Sequence, residues 1–364
     1  MRAARYYGKR DIRVEDTDMP QIRQPDELIV EVAYCGICGT DLHEYAVGPI
    51  VTPATPHPLT GATLPQTLGH EFSARVVDVG PEARDVRVGD RVAIMPAIVC
   101  GRCRYCRRGQ GHLCVNFACT GLSAETGGMA QFAVLKEYQV ARLPDDVSDL
   151  EGAVIEPAAV AAYGVERAGV TGGDVVLVTG AGPIGVLTAM YAGAAGASSV
   201  IISEPNKNRA SLAESLDIGH VVDPTAGALD HLVGELTDGD GVDLAVECSG
   251  TTPGLATCVT HTRKRASVVQ TGLHTERASL DAMALAAKDL TLYGSWCWHM
   301  TDWPRIIRLV ATGRYPVAKA VTARIPLDDV VAKGFDTLLD PRGDQLKVLV
   351  GSGAGGDSER GAAA

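Results

Sequence analysis

The chain has 364 residues, of which 46% are apolar and 21% charged, and its formal net charge is −11. This length predicts two domains, and this composition is typical of a globular protein and excludes a disordered one. The acidic balance argues against a nucleic-acid partner, and the lack of a membrane-spanning apolar run or a signal core predicts a cytoplasmic protein with no membrane partner.

The N-terminal part, from about Arg5 to Val99, reads as short strands separated by turns. Glu27–Val32 alternates in part between apolar and polar residues, and Ala74–Gly80 ends in a turn. This pattern predicts an irregular β-barrel-like domain. A long proline-rich loop lies between Tyr45 and Leu68; it fits a wall or lid of a nearby site, and equally a surface insertion or an oligomer contact.

A short stretch, Cys38-Gly39-Thr40-Asp41-Leu42-His43, brings a thiol, a hydroxyl, a carboxylate and an imidazole together. Gly69-His70-Glu71 follows about thirty residues later with a second pair of possible ligands. A bound cation would unite these groups in one site. Taken alone, Cys38 also fits an ordinary buried cysteine.

Four of the ten cysteines follow the spacing C-x2-C-x2-C-x7-C, at Cys100, Cys103, Cys106 and Cys114. In a reducing compartment such clusters bind metal before they form disulfides. The spacing predicts a closed, four-thiolate structural zinc site, and an iron–sulfur cluster is the competing interpretation. The arginines around the cluster can offset its negative charge.

From about Val154 the pattern changes to strands alternating with Ala- and Gly-rich helices. The apolar strand Asp174–Thr179 runs into Gly180-Ala181-Gly182-Pro183-Ile184-Gly185 and then into a helix. A G-x-G-x-x-G motif between a strand and a helix predicts a dinucleotide site, with the pyrophosphate at the helix N-terminus. Glu204 ends the next predicted strand, Ser199–Glu204. A carboxylate there accepts hydrogen bonds from ribose hydroxyls and repels a 2′-phosphate, so NAD is favoured over NADP.

Two further strands, Val242–Glu247 and Ala266–Gln270, are each followed by a glycine-containing turn, at Gly250 and at Thr271-Gly272. Such strand ends line the cofactor crevice of doubly wound sheets. After about Leu290 the chain is predicted to return to the first domain, with a short helix at 303–312. The Gly/Ala-rich tail 351–364 is predicted to be disordered.

With these motifs assembled, nearly the whole chain resembles the zinc-dependent medium-chain alcohol and polyol dehydrogenases. The resemblance implies an α/β protein with two domains: a GroES-like irregular β-barrel catalytic domain, 1–155 and 295–350, and a Rossmann domain with a doubly wound parallel sheet, 156–294. Within the family the 2,3-butanediol dehydrogenases are most similar, because they share the insertion Glu44–Leu68.

The resemblance also implies the site residues. Where other alcohol dehydrogenases place a second zinc-binding cysteine, this chain has Glu156, as in the polyol branch. The implied catalytic zinc ligands are Cys38, His70 and Glu156, with Glu71 as a fourth or exchanging ligand. Glu156 also fits a simpler role as a first-turn acid of a helix beside Pro157.

The same resemblance gives Thr40 and His43 a proton-relay role and makes Asp41 the group that orients His70, although His43 also fits an ordinary loop histidine. It implies two zinc ions per chain and NAD(H). The implied cofactor contacts are Gly180, Gly182, Pro183, Ile184, Gly185, Glu204, Arg209, Gly250, Thr271 and Gly272.

The expected substrate is a small vicinal diol or α-hydroxyketone, and the expected assembly is a homodimer or homotetramer. Alternatives remain open: a sorbitol- or threonine-dehydrogenase-like enzyme, a dehydrogenase of a bulkier secondary alcohol, or a thiol-dependent aldehyde dehydrogenase. A regulatory relative that binds zinc and NAD(P) without catalysis is the non-enzymatic alternative, and such relatives usually lack one of the catalytic ligands.

Overall fold

The computed structural model describes residues 1–340 and 342–353. It divides the chain into two compact units. The first contains Met1–Glu156, Met300–Ala311 and the segment from Val321 onward, and the second contains Pro157–His299 and Thr312–Ala320. Within the described residues, none of the helices combines the length and apolar character needed to span a bilayer.

The first unit is built mainly of strands, as predicted. Its longest strand alternates in burial along its first half, so that one face packs into the core. Its strands are β1 (Arg2–Gly8), β2 (Asp11–Asp16), β3 (Glu27–Gly36), β4 (Gln66–Thr67), β5 (Glu71–Val79), β6 (Arg91–Ile94), β7 (Ala97–Ile98), β8 (Ala118–Cys119), β9 (Phe132–Lys136) and β10 (Val140–Arg142), with the later β17 (Val321–Pro326) and β18 (Lys347–Gly351).

The main sheet of this unit runs in the order β10-β6-β5-β3-β18-β17, and β9 also pairs with β3. β3 is therefore central and has three antiparallel partners, β5, β9 and β18. The core beneath it buries large side chains such as Tyr6, Phe72 and Phe335 together with Val348 of the last strand. The irregular barrel predicted from the sequence is confirmed, and its main sheet includes β17 and β18 from the far end of the chain.

The second unit contains the six-stranded sheet. All neighbouring strands in it are parallel, in the order β13-β12-β11-β14-β15-β16. This is the strand order of the Rossmann fold, whose ligand crevice lies at the carboxyl ends of the strands. The strands are β11 (Val175–Thr179), β12 (Ser199–Ser203), β13 (His220–Val222), β14 (Val242–Glu247), β15 (Thr262–Gln270) and β16 (Thr291–Gly294).

The helices connect these strands, and the boundary between the units falls inside the second helix. The helices are α1 (Gly39–Val47), α2 (Asp149–Glu166), α3 (Pro183–Ala195), α4 (Lys207–Ser215), α5 (Ala228–Leu236), α6 (Thr252–His261), α7 (Ala282–Ala287), α8 (Trp303–Ala311) and α9 (Asp336–Leu339).

Two boundaries differ from the sequence-based ones. The sequence predicts that 295–350 belongs to the first domain, whereas residues up to His299 and Thr312–Ala320 belong to the second unit. There the Tyr315 hydroxyl donates to the Ala158 and Leu187 carbonyls. The sequence predicts a disordered tail from 351, but Gly351 ends β18 and the buried Ser352 donates to the Val32 carbonyl. The remainder of that prediction, 354–364, lies outside the described residues.

Candidate metal centres and dinucleotide-binding turn

Cys38 lies at the junction between β3 and α1. It is the N-cap of α1, in an extended conformation, and its backbone N–H donates to Asp41 Oδ2 at 3.0 Å. Gly36, just before it, faces Glu71 across the β3–β5 pair, and a Cβ at Gly36 would come within 2.3 Å of Glu71 Oε2. The glycine therefore makes room for the Glu71 carboxylate.

His70 precedes β5 and is almost fully buried. Its Nδ1 faces Asp41 Oδ1 at 3.5 Å, which leaves Nε2 as the nitrogen available to a metal. A carboxylate that faces the other ring nitrogen orients a metal-binding imidazole. The observed position of Asp41 fits the orienting role that the resemblance implies for it.

Cys38, His70 and Glu71 each offer a ligand atom within 4.8 Å of the others. A thiol, an imidazole and a carboxylate are the side chains that zinc binds in proteins. The structure thus brings together three of the four predicted catalytic ligands.

Glu71 has a partner that sequence reasoning did not identify. Lys347 Nζ donates to Glu71 Oε1 at 2.9 Å and to Oε2 at 2.6 Å, and it also donates to the Ile37 carbonyl at 3.1 Å. Both side chains are buried, with 2% and 1% exposed. The Glu71 carboxylate of the cluster is therefore already paired with the Lys347 cation.

Glu156, the remaining predicted ligand, is buried in the middle of α2. The alternative of a first-turn acid is wrong, because α2 begins at Asp149 and Pro157 lies inside the helix. Glu156 is not in the tight three-residue cluster, but its charge acts on the same neighbours, His70, Glu71 and Lys347.

Two acidic groups of the site, Glu156 and Cys38, have raised pKa values, because burial disfavours their charged forms. Burial raises the pKa of Glu156 to about 8; His70 and Lys347 lower it, and Glu71 raises it further. Burial and the Glu71 charge also raise the pKa of Cys38. Burial alone would lower the pKa of His70, yet Asp41 and Cys38 outweigh it and hold that pKa well above its usual value. A divalent cation would favour the deprotonated thiol, imidazole and carboxylates, so the donor set fits zinc.

Thr40 and His43 lie three residues apart on α1 and so share one face of the helix. The Thr40 hydroxyl is 3.8 Å from Cys38 Sγ, which places it beside the metal cluster. His43 is half-buried on the same face.

The four-cysteine lobe is assembled as the spacing predicted. The sulfurs of Cys103 and Cys106 are 3.4 Å apart and those of Cys100 and Cys106 are 4.0 Å apart. A tetrahedral zinc with Zn–S bonds of ~2.3 Å spaces its sulfurs by ~3.8 Å. Backbone N–H groups of Cys106 and others point at the Cys103 sulfur and lower its pKa to about 6, so the chain stabilises a thiolate there.

The dinucleotide-binding turn follows β11. Gly180 has φ +92°, and a Cβ on Gly185 would lie 1.8 Å from the Gly180 carbonyl oxygen, so both positions require glycine. Gly182 is the N-cap of α3, and Pro183 and Ile184 open the helix, leaving its first N–H groups for a pyrophosphate.

Glu204 is placed at the end of β12 as predicted, but its carboxylate is already engaged. Oε2 accepts from the Ala181 N–H at 2.8 Å, and Oε1 accepts from the Asn206 N–H at 2.8 Å and from Arg209 at 3.1 Å. Glu204 is 3% exposed. It therefore also ties the second strand to the glycine turn, which sequence reasoning missed.

Gly250, Thr271 and Gly272 lie at the neighbouring strand ends, beyond β14 and β15. A Cβ at Gly272 would meet the Gly250 backbone N at 2.4 Å, so the two turns are in direct contact. The predicted cofactor residues of the second unit are thus gathered at the carboxyl edge of the parallel sheet.

Comparison with known proteins agrees with this architecture. The family description "Alcohol dehydrogenase GroES-like domain" matches residues 24–145, and "Zinc-binding dehydrogenase" matches residues 183–312. The chain is 35% identical to an (R,R)-butanediol dehydrogenase of Neisseria gonorrhoeae, covering 96% of this chain and 99% of that protein. It is 32% identical to D-xylulose reductase A of Aspergillus niger, covering 91% of this chain and 94% of the other.

Two solved structures extend the comparison. The crystal structure of 2R,3R-butanediol dehydrogenase from Bacillus subtilis superposes with a TM-score of 0.89 at 34% identity, covering 96% of this chain and 99% of that one. A zinc-binding dehydrogenase from Sinorhizobium meliloti bound to NADP gives 0.84 at 32% identity, covering 96% and 98%. The chain therefore belongs to the zinc-dependent medium-chain alcohol and polyol dehydrogenases, oxidoreductases that act on CH–OH groups through a GroES-like domain and a Rossmann domain.

Proposed function

We propose that this enzyme transfers a hydride between NAD(H) and a vicinal diol or its α-hydroxyketone, with 2,3-butanediol and acetoin as representative substrates. The observation that carries the proposal is the cluster of the half-buried Cys38 with the buried His70 and Glu71, with a second buried carboxylate, Glu156, beside it. The butanediol dehydrogenases among the relatives support the substrate class.

Zinc would be held by Cys38, His70 and Glu156, with Glu71 exchanging. Distance favours Glu71 as the ligand, because it lies within the tight cluster. Charge favours Glu156, because the Glu71 carboxylate is paired with Lys347. We give more weight to charge, because a carboxylate bound to a buried ammonium donates less readily to a metal. Glu156 would then be the resting ligand, and Glu71 would replace it only if the Lys347 contact loosened.

Zinc bound there supplies Lewis-acid chemistry, lowering the pKa of a bound hydroxyl. The chain's own residues do the rest. Asp41 orients His70, and Lys347 holds Glu71. Thr40 would relay the proton of the substrate hydroxyl by giving up its own hydroxyl proton as it accepts that one, and the neutral imidazole of His43, on the same helix face, would take the released proton and pass it toward solvent. Burial of His70 and Glu71 limits the access of water to the reacting centre.

A vicinal second oxygen distinguishes the proposed substrate from a simple alcohol. As a zinc ligand, Glu156 would keep a second carboxylate oxygen in the buried site, and a second substrate hydroxyl can donate a hydrogen bond to it. One unpaired buried polar group costs ~1–3 kcal/mol, so kcat/KM for 2,3-butanediol should exceed that for butan-2-ol by about tenfold or more.

The test is a substrate panel followed by nicotinamide absorbance: 2,3-butanediol, acetoin, xylitol, sorbitol, threonine, butan-2-ol, ethanol and a bulkier hydroxyketone. Glu156→Ala should abolish the diol preference together with most activity. The D-xylulose reductases among the relatives make polyol oxidation the second candidate. A clear preference for xylitol or for butan-2-ol would reject the butanediol assignment and leave the zinc dehydrogenase intact.

We assign NAD as the preferred cofactor. The Glu204 carboxylate ends the second strand, where a 2′-phosphate of NADP would meet its negative charge. Arg209 compensates part of that charge, and one structural neighbour is bound to NADP, so the preference rests on the balance of these two side chains. Steady-state kinetics with both cofactors measures it.

We also propose two zinc ions per chain, one in the four-cysteine lobe and one at Cys38. Elemental analysis of the purified protein should give about two zinc atoms per chain. Removal of the more open ion by a mild chelator should abolish activity and leave about one zinc per chain.

The proposed homodimer or homotetramer has a candidate surface in the second unit. β16 is the last strand of the parallel sheet, and its outer edge has no partner strand in the described residues. Leu292 on this strand is 39% exposed and the nearby Trp296 is 51% exposed. Unpaired apolar edges are covered in stable proteins. Leu292→Lys should lower the mass measured by light scattering, and an unchanged assembly would reject this surface.

A further inference from the structure

Glu247, the last residue of β14, is a buried carboxylate that the proposed chemistry does not use. Its exposure is 0%, and no lysine or arginine pairs with it in the described parts of the chain. Its hydrogen-bond donors are instead neutral groups of two different turns. A charge buried in this way persists only when donors are fixed around it, so the turns and the carboxylate hold one another in place.

The first of these turns follows β14. Glu247 Oε1 accepts from the Ser249 N–H at 2.7 Å, from the Ser249 hydroxyl and from the Gly250 N–H at 2.9 Å. These contacts fold the turn back onto the strand end and hold Gly250 with φ +66°.

The second turn follows β15. Glu247 Oε2 accepts from Gln270 Nε2 at 2.8 Å, and His274 Nε2 lies 3.3 Å from the same oxygen. The Glu247 backbone carbonyl accepts from the N–H groups of Thr271 and Gly272 at 2.9 and 2.8 Å. One residue therefore fixes both turns through its side chain and its backbone.

These turns lie against the phosphate-binding turn. A Cβ built on Gly180 would come within 3.0 Å of the Ser249 Cα, and a Cβ on Gly185 within 3.7 Å of the Cys248 Cβ. A shift of the Ser249 turn would therefore alter the wall of the crevice beside the glycine motif. The Gly272 turn contacts Gly250 and would move with it.

We propose that Glu247 is a positioning residue for the dinucleotide, and that His274 and Gln270 act through it. Glu247 itself does not touch the cofactor. It holds the turns at 249–250 and 271–274 in the shape that the cofactor requires, so its loss weakens cofactor binding before it affects the metal centre. This inference rests on the proposed use of NAD(H).

Glu247→Gln preserves shape and removes the charge. The amide oxygen can replace Oε1, which accepts the larger number of donors, so the new NH2 group faces Gln270 Nε2, itself a donor. Two hydrogen-bond donors that face each other repel, so the 270–274 segment should lose its contact with residue 247. We expect the Kd for NADH, measured by fluorescence titration of the zinc-loaded enzyme, to rise about tenfold. KM for the nicotinamide cofactor should rise similarly, while zinc content and KM for the alcohol stay within about twofold.

His274→Asn should raise the Kd by about threefold, and the double variant should be no weaker than Glu247→Gln alone, because His274 acts through Glu247. The exposed pair His231 and Glu235, 83% and 66% exposed on α5, supplies matched controls. Glu235→Gln and His231→Asn should leave NADH binding within about twofold.

Circular dichroism and the unfolding midpoint check that each variant is folded. If Glu247→Gln does not fold, the positioning role is tested with His274→Asn and Gln270→Met. Each of these variants should weaken NADH binding about threefold. Unchanged NADH affinity in the folded variants would overturn the positioning role, as would equal losses for alcohol and cofactor. Failure of the unmutated enzyme to bind NADH would overturn the proposed cofactor, and this inference with it.

Discussion

Replacing Lys347 with Met tests the charge pairing beside the metal cluster. The substitution keeps an unbranched apolar stem and removes the ammonium that donates to both oxygens of Glu71 and to the Ile37 carbonyl. Both members of the pair are nearly inaccessible to water. In metal-free protein the Glu71 carboxylate would then be buried without a cation.

Breaking a buried ion pair by removing one partner costs ~3–5 kcal/mol of folding free energy. Zinc offers the released carboxylate a new positive partner, so the zinc-loaded variant should lose less than the metal-free one. Because folding and zinc binding form a thermodynamic cycle, the difference between these two stability losses equals the gain in zinc-binding free energy of the variant. A difference of ~1.4 kcal/mol corresponds to a tenfold change in Kd, and we expect at least that.

The assay is urea unfolding of metal-free and zinc-loaded protein, together with competition against a colorimetric chelator. Cobalt substitution adds a spectroscopic measure, because an additional carboxylate ligand changes the visible bands of the ion. Lys333→Met is the control: Lys333 pairs with Asp329 at 2.8 Å but is 66% exposed, and such pairs contribute ~0–1 kcal/mol. Equal metal-free stabilities of Lys347→Met and the unmutated protein, or weaker zinc binding in the variant, would refute the reasoning.

Four further predictions follow from the site. Cys103→Ser should lower the unfolding midpoint and remove about one zinc per chain by elemental analysis; full zinc content would contradict a structural zinc there. Glu204→Ser should narrow the preference for NAD over NADP by one to two powers of ten in kcat/KM, if the contact is worth ~1.4–3 kcal/mol, and equal use of both by the unmutated enzyme would reject the role. Gly185→Ala places a Cβ 1.8 Å from the Gly180 carbonyl oxygen, so NADH binding should be lost while zinc content is retained. The pKa of Glu156 is about 8 without metal, so at lower pH zinc must displace the Glu156 proton when it binds. Zinc affinity should therefore rise between pH 6 and 8, by about one power of ten per pH unit more than in the Glu156→Gln variant. Equal pH dependences of zinc affinity in the two proteins would exclude Glu156 as a ligand.

Much of the fold could be predicted because its signals are local. The glycine turn, the strand before it and the helix after it are consecutive, and the four cysteines lie within one short lobe. The positions that require glycine at Gly180 and Gly185 follow from close backbone contacts inside the same motif. Such features depend little on the rest of the chain.

Lys347 could not be predicted, because its role depends on a contact across 276 residues. In the sequence it is a lone lysine at the start of the apolar run Val348–Val350, a pattern that suggests a charge at the edge of a strand. Only the pairing of β18 with β3 turns it toward Glu71. Two features of the sequence could have indicated this pair. One is an acid predicted at a metal site without a basic partner, and the other is a single lysine in an otherwise apolar strand.

Glu204 shows a different limit. Its place at the end of the second strand could be predicted from spacing, but the direction of its carboxylate could not. The Ala181 and Asn206 N–H groups that it accepts from are backbone donors, which every sequence provides. Their orientation becomes known only when the turn geometry is known.

The position of β18 also has a consequence for biosynthesis. β3 emerges from the ribosome early, yet its partner β18 is made more than 300 residues later, whereas the second unit is complete once Ala320 has been made. Domains fold as units during synthesis once their segments are available. The nucleotide-binding unit can therefore fold on the ribosome, while the barrel and its Lys347–Glu71 pair can be completed only when nearly the whole chain has been released. Because Lys347 contacts the Glu71 carboxylate of the Cys38 centre, we expect that centre to take up its metal ion only late in the synthesis of the enzyme.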